Sequence, residues 1–230
     1  MISKRRKWVI AGAGVLIIAT VAIVLLSRDD EPTYQGKTLH EWLMSYVNNF
    51  TYTNSIEFKQ SNSALLAIGA DAFPWLVQWI GYEEPGWRRA LREWLPNGMT
   101  KLLDRDAYLR AERSAFAFKA YGTNAAPVVP DLEALMNDIQ KPTRAMLALG
   151  FIGEPSVAVL TNALANPQQR HRPSLATAIG LVMLTSPDEQ NTCAAVLLHC
   201  TNDPDPVMQS AARATLKNCA PEVLTNAPPQ

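Results

Sequence analysis

The 230-residue chain has three histidines and three cysteines, and their placement limits what they could do. His40, His171 and His199 fall in different segments, while Cys193, His199 and Cys200 lie close enough to suggest a metal site. When the helical segments described below are aligned, however, Cys193 coincides with Val157 and Cys200 with Leu164, both apolar packing positions. The two thiols therefore read as small buried hydrophobes. Nor can they pair within one straight helix, because seven residues span about 10 Å and a disulfide needs Cα atoms within about 7 Å. Cys219, near a corner, is the cysteine expected to be exposed. The chain has no G-x-S-x-G, no phosphate-binding glycine loop, no H-E-x-x-H and no calcium loop. Asp203-Pro-Asp205-Pro reads as a loop capping the next helix, and His40 as a solvated surface histidine. No catalytic residue, no cofactor and no metal site is expected.

What the chain does carry is a repeated packing unit. Thr143 to Pro167, TRAMLALGFIGEPSVAVLTNALANP, sets Ala145, Ala148, Leu149 and Ile152 at helical spacing and stops at Gly153. It restarts at Pro155, which suits a first helical turn because proline lacks an N–H that would be unpaired there. Val157, Leu160 and Leu164 then mark one face. Two such short antiparallel helices cannot bury their own apolar sides and are stable only when stacked on copies of themselves.

The copies are visible. Ala64-Leu-Leu-Ala-Ile-Gly69 with Ala72-Phe-Pro-Trp-Leu76 parallels the unit, as does Phe116 to Gly122 with Ala125-Ala-Pro127 and Leu132. A fourth copy runs from Leu175 past Pro187 to Cys200, with Met183 where the corner glycine is expected. A fifth starts at Val207, Ala211, Ala214 and Leu216 and fails after Leu224. Gly69 and Gly122 are 53 residues apart against 31 for Gly122 and Gly153, and a further helix over Gly86 to Leu95 accounts for the surplus. The first helix, after a Thr38–Glu41 capping box, shows Leu39, Trp42, Leu43, Tyr46 and Val47 as its apolar stripe. Trp42, Trp75, Trp79, Trp87 and Trp94 are expected to be mostly core, the alternative being an aromatic docking patch.

Charge divides the chain. Lys4, Arg5, Arg6 and Lys7 precede Trp8 to Leu26, nineteen residues without a charge, and no acid occurs before Asp29. At about 1.5 Å per residue the run spans roughly 28 Å, the thickness of a bilayer's hydrocarbon. It is long and lacks a small-residue cleavage site, so it reads as an anchor rather than a leader. The basic cluster places its N-terminus in the cytoplasm and the rest on the outer side. The expected organisation is a cytoplasmic basic segment 1–7, a transmembrane anchor 8–26, a tether 27–37, a helical repeat domain 38–224 and a disordered tail 225–230. Without the four leading cations, 17 basic residues face 21 acidic ones, a net of −4. Such a body is a poor polyanion binder, and no nucleic-acid partner is expected. Arg88-Arg89-Arg92 reads as a wet helix face and Arg170-His171-Arg172 as an inter-repeat loop.

The pattern A-x-x-A-L-x-x-I-G-x-x-A-x-P-x-L over residues 60 to 224 resembles the short HEAT-like repeats of bacteria, the group that includes the phycobilin-lyase type. Tyr34-Gln-Gly-Lys-Thr-Leu-His-Glu-Trp-Leu43 resembles the lead-in of membrane-anchored bacterial proteins carrying such repeats. The resemblance implies an all-α, HEAT-like α-solenoid behind a single transmembrane helix, and a bacterial inner membrane with the body in the periplasm or beyond. The function it leaves open is a non-catalytic module presenting a surface to a protein partner, a repeat-based enzyme of the bilin-lyase kind, or a structural envelope protein. Aligning second helices on Leu76, Leu132, Leu160 and Val196, all expected to be buried, gives two further columns. One holds Gln78, Ala134, Asn162 and Leu198. The other, polar throughout, holds Tyr82, Asp138, Asn166 and Asn202, and is either a docking edge or the ordinary end of each helix.

Overall fold

A computed structural model describes residues 31–87, 90, 94, 105–138 and 142–225. The basic segment, the apolar run, the tether as far as residue 30, most of the Gly86–Leu95 helix and residues 226–230 lie outside the described residues. From Thr33 on, the described residues belong to one compact unit and are mostly helical.

Its first element lies in the stretch expected to be a tether. Strands β1 (Thr33–Tyr34) and β2 (Lys37–Thr38) pair antiparallel, Tyr34 opposite Lys37. The turn places Gln35 at φ +49° and Gly36 at φ +76°, the two positive values a tight two-residue hairpin needs. Helix α1 (Leu39–Asn48) follows at once, its capping box formed as expected: Glu41 N donates to Thr38 Oγ1 and Thr38 N to the Glu41 carboxylate. Leu39, Trp42, Leu43 and Tyr46 are buried. His40 departs from its solvated assignment, being half-buried with its ring edge-on to Trp79 at 6.3 Å.

The remaining helices come in pairs: α2 (Ile56–Ile68) with α3 (Phe73–Ile80), α4 (Arg105–Tyr121) with α5 (Val129–Asp138), α6 (Thr143–Ile152) with α7 (Val157–Ala165), α8 (Arg172–Thr185) with α9 (Gln190–Cys200), and α10 (Pro206–Cys219) with the short α11 (Pro221–Thr225). Helix α6 packs on α4 and α8, and α8 on α10, so first helices lie side by side. Second helices cover them: α5 lies on α6, α7 on α8, and α9 on both α8 and α10. Helix α6 is buried nearly all round, from Arg144 to Ile152 with Leu147 partly covered, as a helix flanked on every side must be. Gly150 permits the close approach of α8, since a Cβ there would lie 2.8 Å from Ala178 O.

Corners follow the glycine pattern three times and break it once. Gly69, Gly122 and Gly153 follow their helices at φ +64°, +52° and +86°, values a side chain resists. Met183 is not the missing corner. Helix α8 runs through it to Thr185, Met183 is buried, and Ser186 takes the turn with Pro187 behind it. The Ser186 hydroxyl accepts from Glu154 N at 3.0 Å and occupies the space that a Cβ on Gly153 would fill. Two neighbouring corners thereby lock.

Among the described residues, Ile56–Ile80 is long and apolar enough to cross a membrane. Gly69 breaks it into two helices, and Leu65, Leu76 and Ile80 are fully buried within the fold, so its hydropathy is that of a core hairpin.

Candidate functional site

The packing column sets the register for every surface residue. Leu76, Leu132 and Leu160 are fully buried, but Val196 is only half-buried and its neighbour Leu197 has no exposure. Helix α9 is therefore turned by one residue from the expected register. The shift is consistent four residues back, where Ala72, Val128, Ser156 and Cys193 are all buried. The fifth copy is displaced the same way: Val207 is 61% exposed and Ala214 is exposed, while Met208, Ala212, Thr215 and Leu216 form the buried stripe. Both displacements follow turns that lack a glycine, so sequence spacing there had no fixed point.

In the corrected register the column six residues on is Tyr82, Asp138, Asn166 and Asp203, with Asn202 exposed beside it. Three of its members are engaged within the chain. Tyr82 O accepts from Arg144 Nη1 at 2.8 Å, and Asn166 Oδ1 accepts from Gln168 N at 3.0 Å, closing an Asx turn. Asp203 Oδ1 accepts from Arg172 Nη1 at 3.0 Å, and the Arg172 guanidinium holds the Asp203 carboxyl below the usual carboxylate range. Asp205 N-caps α10 by accepting from Val207 N, as expected. Arginines from first helices reach the carboxyl ends of second helices three times: Arg144 to Ile80 O and Tyr82 O, Arg172 to Leu164 O, and Arg213 to Thr201 O. Cations complement the partial negative charge of a helix C-terminus. This column is a row of helix ends.

The column two residues beyond the leucines is different. It becomes Gln78, Ala134, Asn162 and His199, with half-buried Leu198 replaced, and all four are exposed. Four successive pairs thus present an equivalent position to solvent.

A second feature lies near the start of the unit, in and beside the Tyr34–Leu43 stretch. The β1–β2 hairpin, Trp42 of α1 and one face of α2 enclose an open cleft of about 580 Å³. From α2 it receives Ile56, Lys59, Gln60 and Ser63, spaced i, i+3, i+4 and i+7, and all four are exposed. Trp42 is fixed by donating Nε1–H to Tyr34 O at 2.9 Å, and Lys37 Nζ stands 4.5 Å from its ring centroid. Gln35 and Tyr34 complete the wall. The hairpin was missed in the sequence because two-residue strands leave no periodicity.

The thiols are inert in type. Burial, with Glu189 nearby, raises Cys193 to about 11, and burial also raises Cys200 and Cys219. All three are free, and Cys219, expected to be exposed, is half-buried with its Sγ donating to Gly180 O at 3.5 Å. Among the described residues no group of three His, Cys, Asp or Glu side chains could hold a metal. Of the tryptophans expected in the core, Trp42 and Trp79 are buried, but Trp87 and Trp94 are 61% and 90% exposed. Their seven-residue spacing implies a shared face and says nothing about what that face meets. Arg88, Arg89 and Arg92 lie outside the described residues.

Comparison with protein-family models, with curated proteins and with solved structures gave no match.

Proposed function

We propose that this chain is a non-catalytic, membrane-anchored module of HEAT-like helix pairs, stacked as an α-solenoid, that presents a surface to a protein partner outside the cytoplasm. The observation that carries the reading is the exposed column Gln78, Ala134, Asn162 and His199, repeated at equivalent points of four second helices. Stacked repeats offer surfaces of this kind, built from equivalent positions on rigid elements. Side chains that packing leaves free are the ones available for contact. The groups with perturbed protonation support the same reading. The Arg172–Asp203 pair is tied to helix ends, and cysteines with raised pKa are poor nucleophiles. A bilin-lyase-like enzyme would need an activated group facing a groove. The basic cluster before Trp8 and the long uncharged run support an anchor with the body outside.

Affinity purification of the tagged, detergent-extracted chain tests the role. A specifically enriched protein supports the module, and a co-purifying chromophore in its place refutes it. A C-terminal alkaline phosphatase fusion tests the topology: activity is expected, and an inactive fusion at normal expression would overturn it.

A further inference from the structure

We infer that the cleft between the β1–β2 hairpin and α2 is a docking site for an acidic, extended peptide segment of a protein partner, one carrying an apolar side chain between carboxylates. The inference rests on the module reading above but concerns a different surface from the second-helix column.

The lining is asymmetric in charge. Lys37 and Lys59 both face the cleft, and none of its eight lining residues is acidic. That asymmetry stands out on a body that is otherwise net acidic. An acidic ligand is drawn toward two cations and away from the rest of the surface, which favours both encounter and register. The rest of the lining fits a peptide better than a phosphate. Trp42 and Tyr34 provide aromatic walls, and Ile56, an aliphatic side chain at the mouth, is 70% exposed among the described residues. Gln35, Gln60 and Ser63 add donors and acceptors of the type that pair with a peptide backbone. Two lysines without an arginine fork are too few contacts to hold a nucleic acid.

The site is also preformed. The Trp42 Nε1–H to Tyr34 O bond ties the hairpin to α1, and the hairpin turn accepts a non-glycine residue, Gln35, at φ +49°. Such a conformation costs energy for most residues and persists where surrounding structure enforces it. A rigid wall lowers the ordering cost of binding, which falls on the peptide alone.

The test is fluorescence anisotropy with the detergent-solubilised full chain and a fluorescein-labelled acetyl-Asp-Glu-Leu-Asp-Glu-amide probe. Saturable binding is expected, weakened at least about tenfold by K37E/K59E and clearly by Ile56→Asp, while Lys217→Glu on α10 leaves it unchanged. Replacing the probe's leucine by serine should weaken binding as well. Should K37E/K59E shift the melting temperature, K37A/K59A serves in its place. The proposal fails if no saturable binding occurs, if the lysine variants bind as the natural chain does, or if the serine probe binds equally well. Because the probe needs no cellular partner, its failure is distinguishable from failure to recover a partner by purification.

Discussion

Arg172 and Asp203 illustrate how single residues connect this fold. Arg172 opens α8, donates from Nε to Leu164 O at the end of α7, and pairs with the loop after α9 through Asp203. Because Arg172 lowers the Asp203 pKa in the folded state, the pair stabilises the protein above the unfolded carboxyl's pKa of about 3.9. That stabilisation is lost as pH falls through the lower folded value. Asp203→Asn should therefore cost about 1 kcal/mol near neutral pH, with the gap to the natural protein closing at more acid pH. Thermal melts across pH 2.5–7 (roughly the range spanned by the linkage) check this, and a gap that widens on acidification would refute it. The register of α9 is a second matter of single residues. Leu197→Ala should cost on the order of 2–5 kcal/mol and Val196→Ala clearly less, as measured by denaturant unfolding. Equal costs would contradict the assigned register. Neither feature was legible in full: Arg170-His171-Arg172 read as a loop, and its ion pair depends on a residue 31 positions away.

Elements were the most legible level, because apolar spacing, proline and glycine act locally. Thr143 to Pro167 read as a helix, a glycine corner and a second helix, and α6 and α7 fall there. Thr38 and Glu41 announced the capping box three residues apart. Legibility failed where the corner residue was Ser186, since serine carries no requirement for positive φ and shifts no periodicity. It failed too at the hairpin, whose strands are shorter than any alternation. The contact between first helices also left a local trace only in retrospect. Gly150 sits in the last turn of α6, where glycine still has a lower helix propensity than alanine, and the contact with α8 explains its presence. Gly150→Ala should thus destabilise by about 1–3 kcal/mol despite better helix propensity, because the obstructing atom is backbone. A stabilised variant in calorimetry would mean that α6 and α8 lie further apart.

At the scale of the molecule, packing and function draw on different residues. The buried leucines of the helix pairs specify how the helices pack, and they are what a sequence pattern detects. Recognition would fall to what packing leaves over, the exposed Gln78, Ala134, Asn162 and His199 and the cleft beside the hairpin, and these carry no motif. This is why the helical class could be read from the chain while a recognition surface could not. Site-specific photo-crosslinking in intact cells tests the proposed role most directly, with a photo-reactive amino acid at position 162 and, separately, at position 217 on the exposed side of α10. A discrete protein adduct is expected from position 162, absent or much weaker from position 217. No protein adduct from position 162, or equal labelling from both positions, would contradict it.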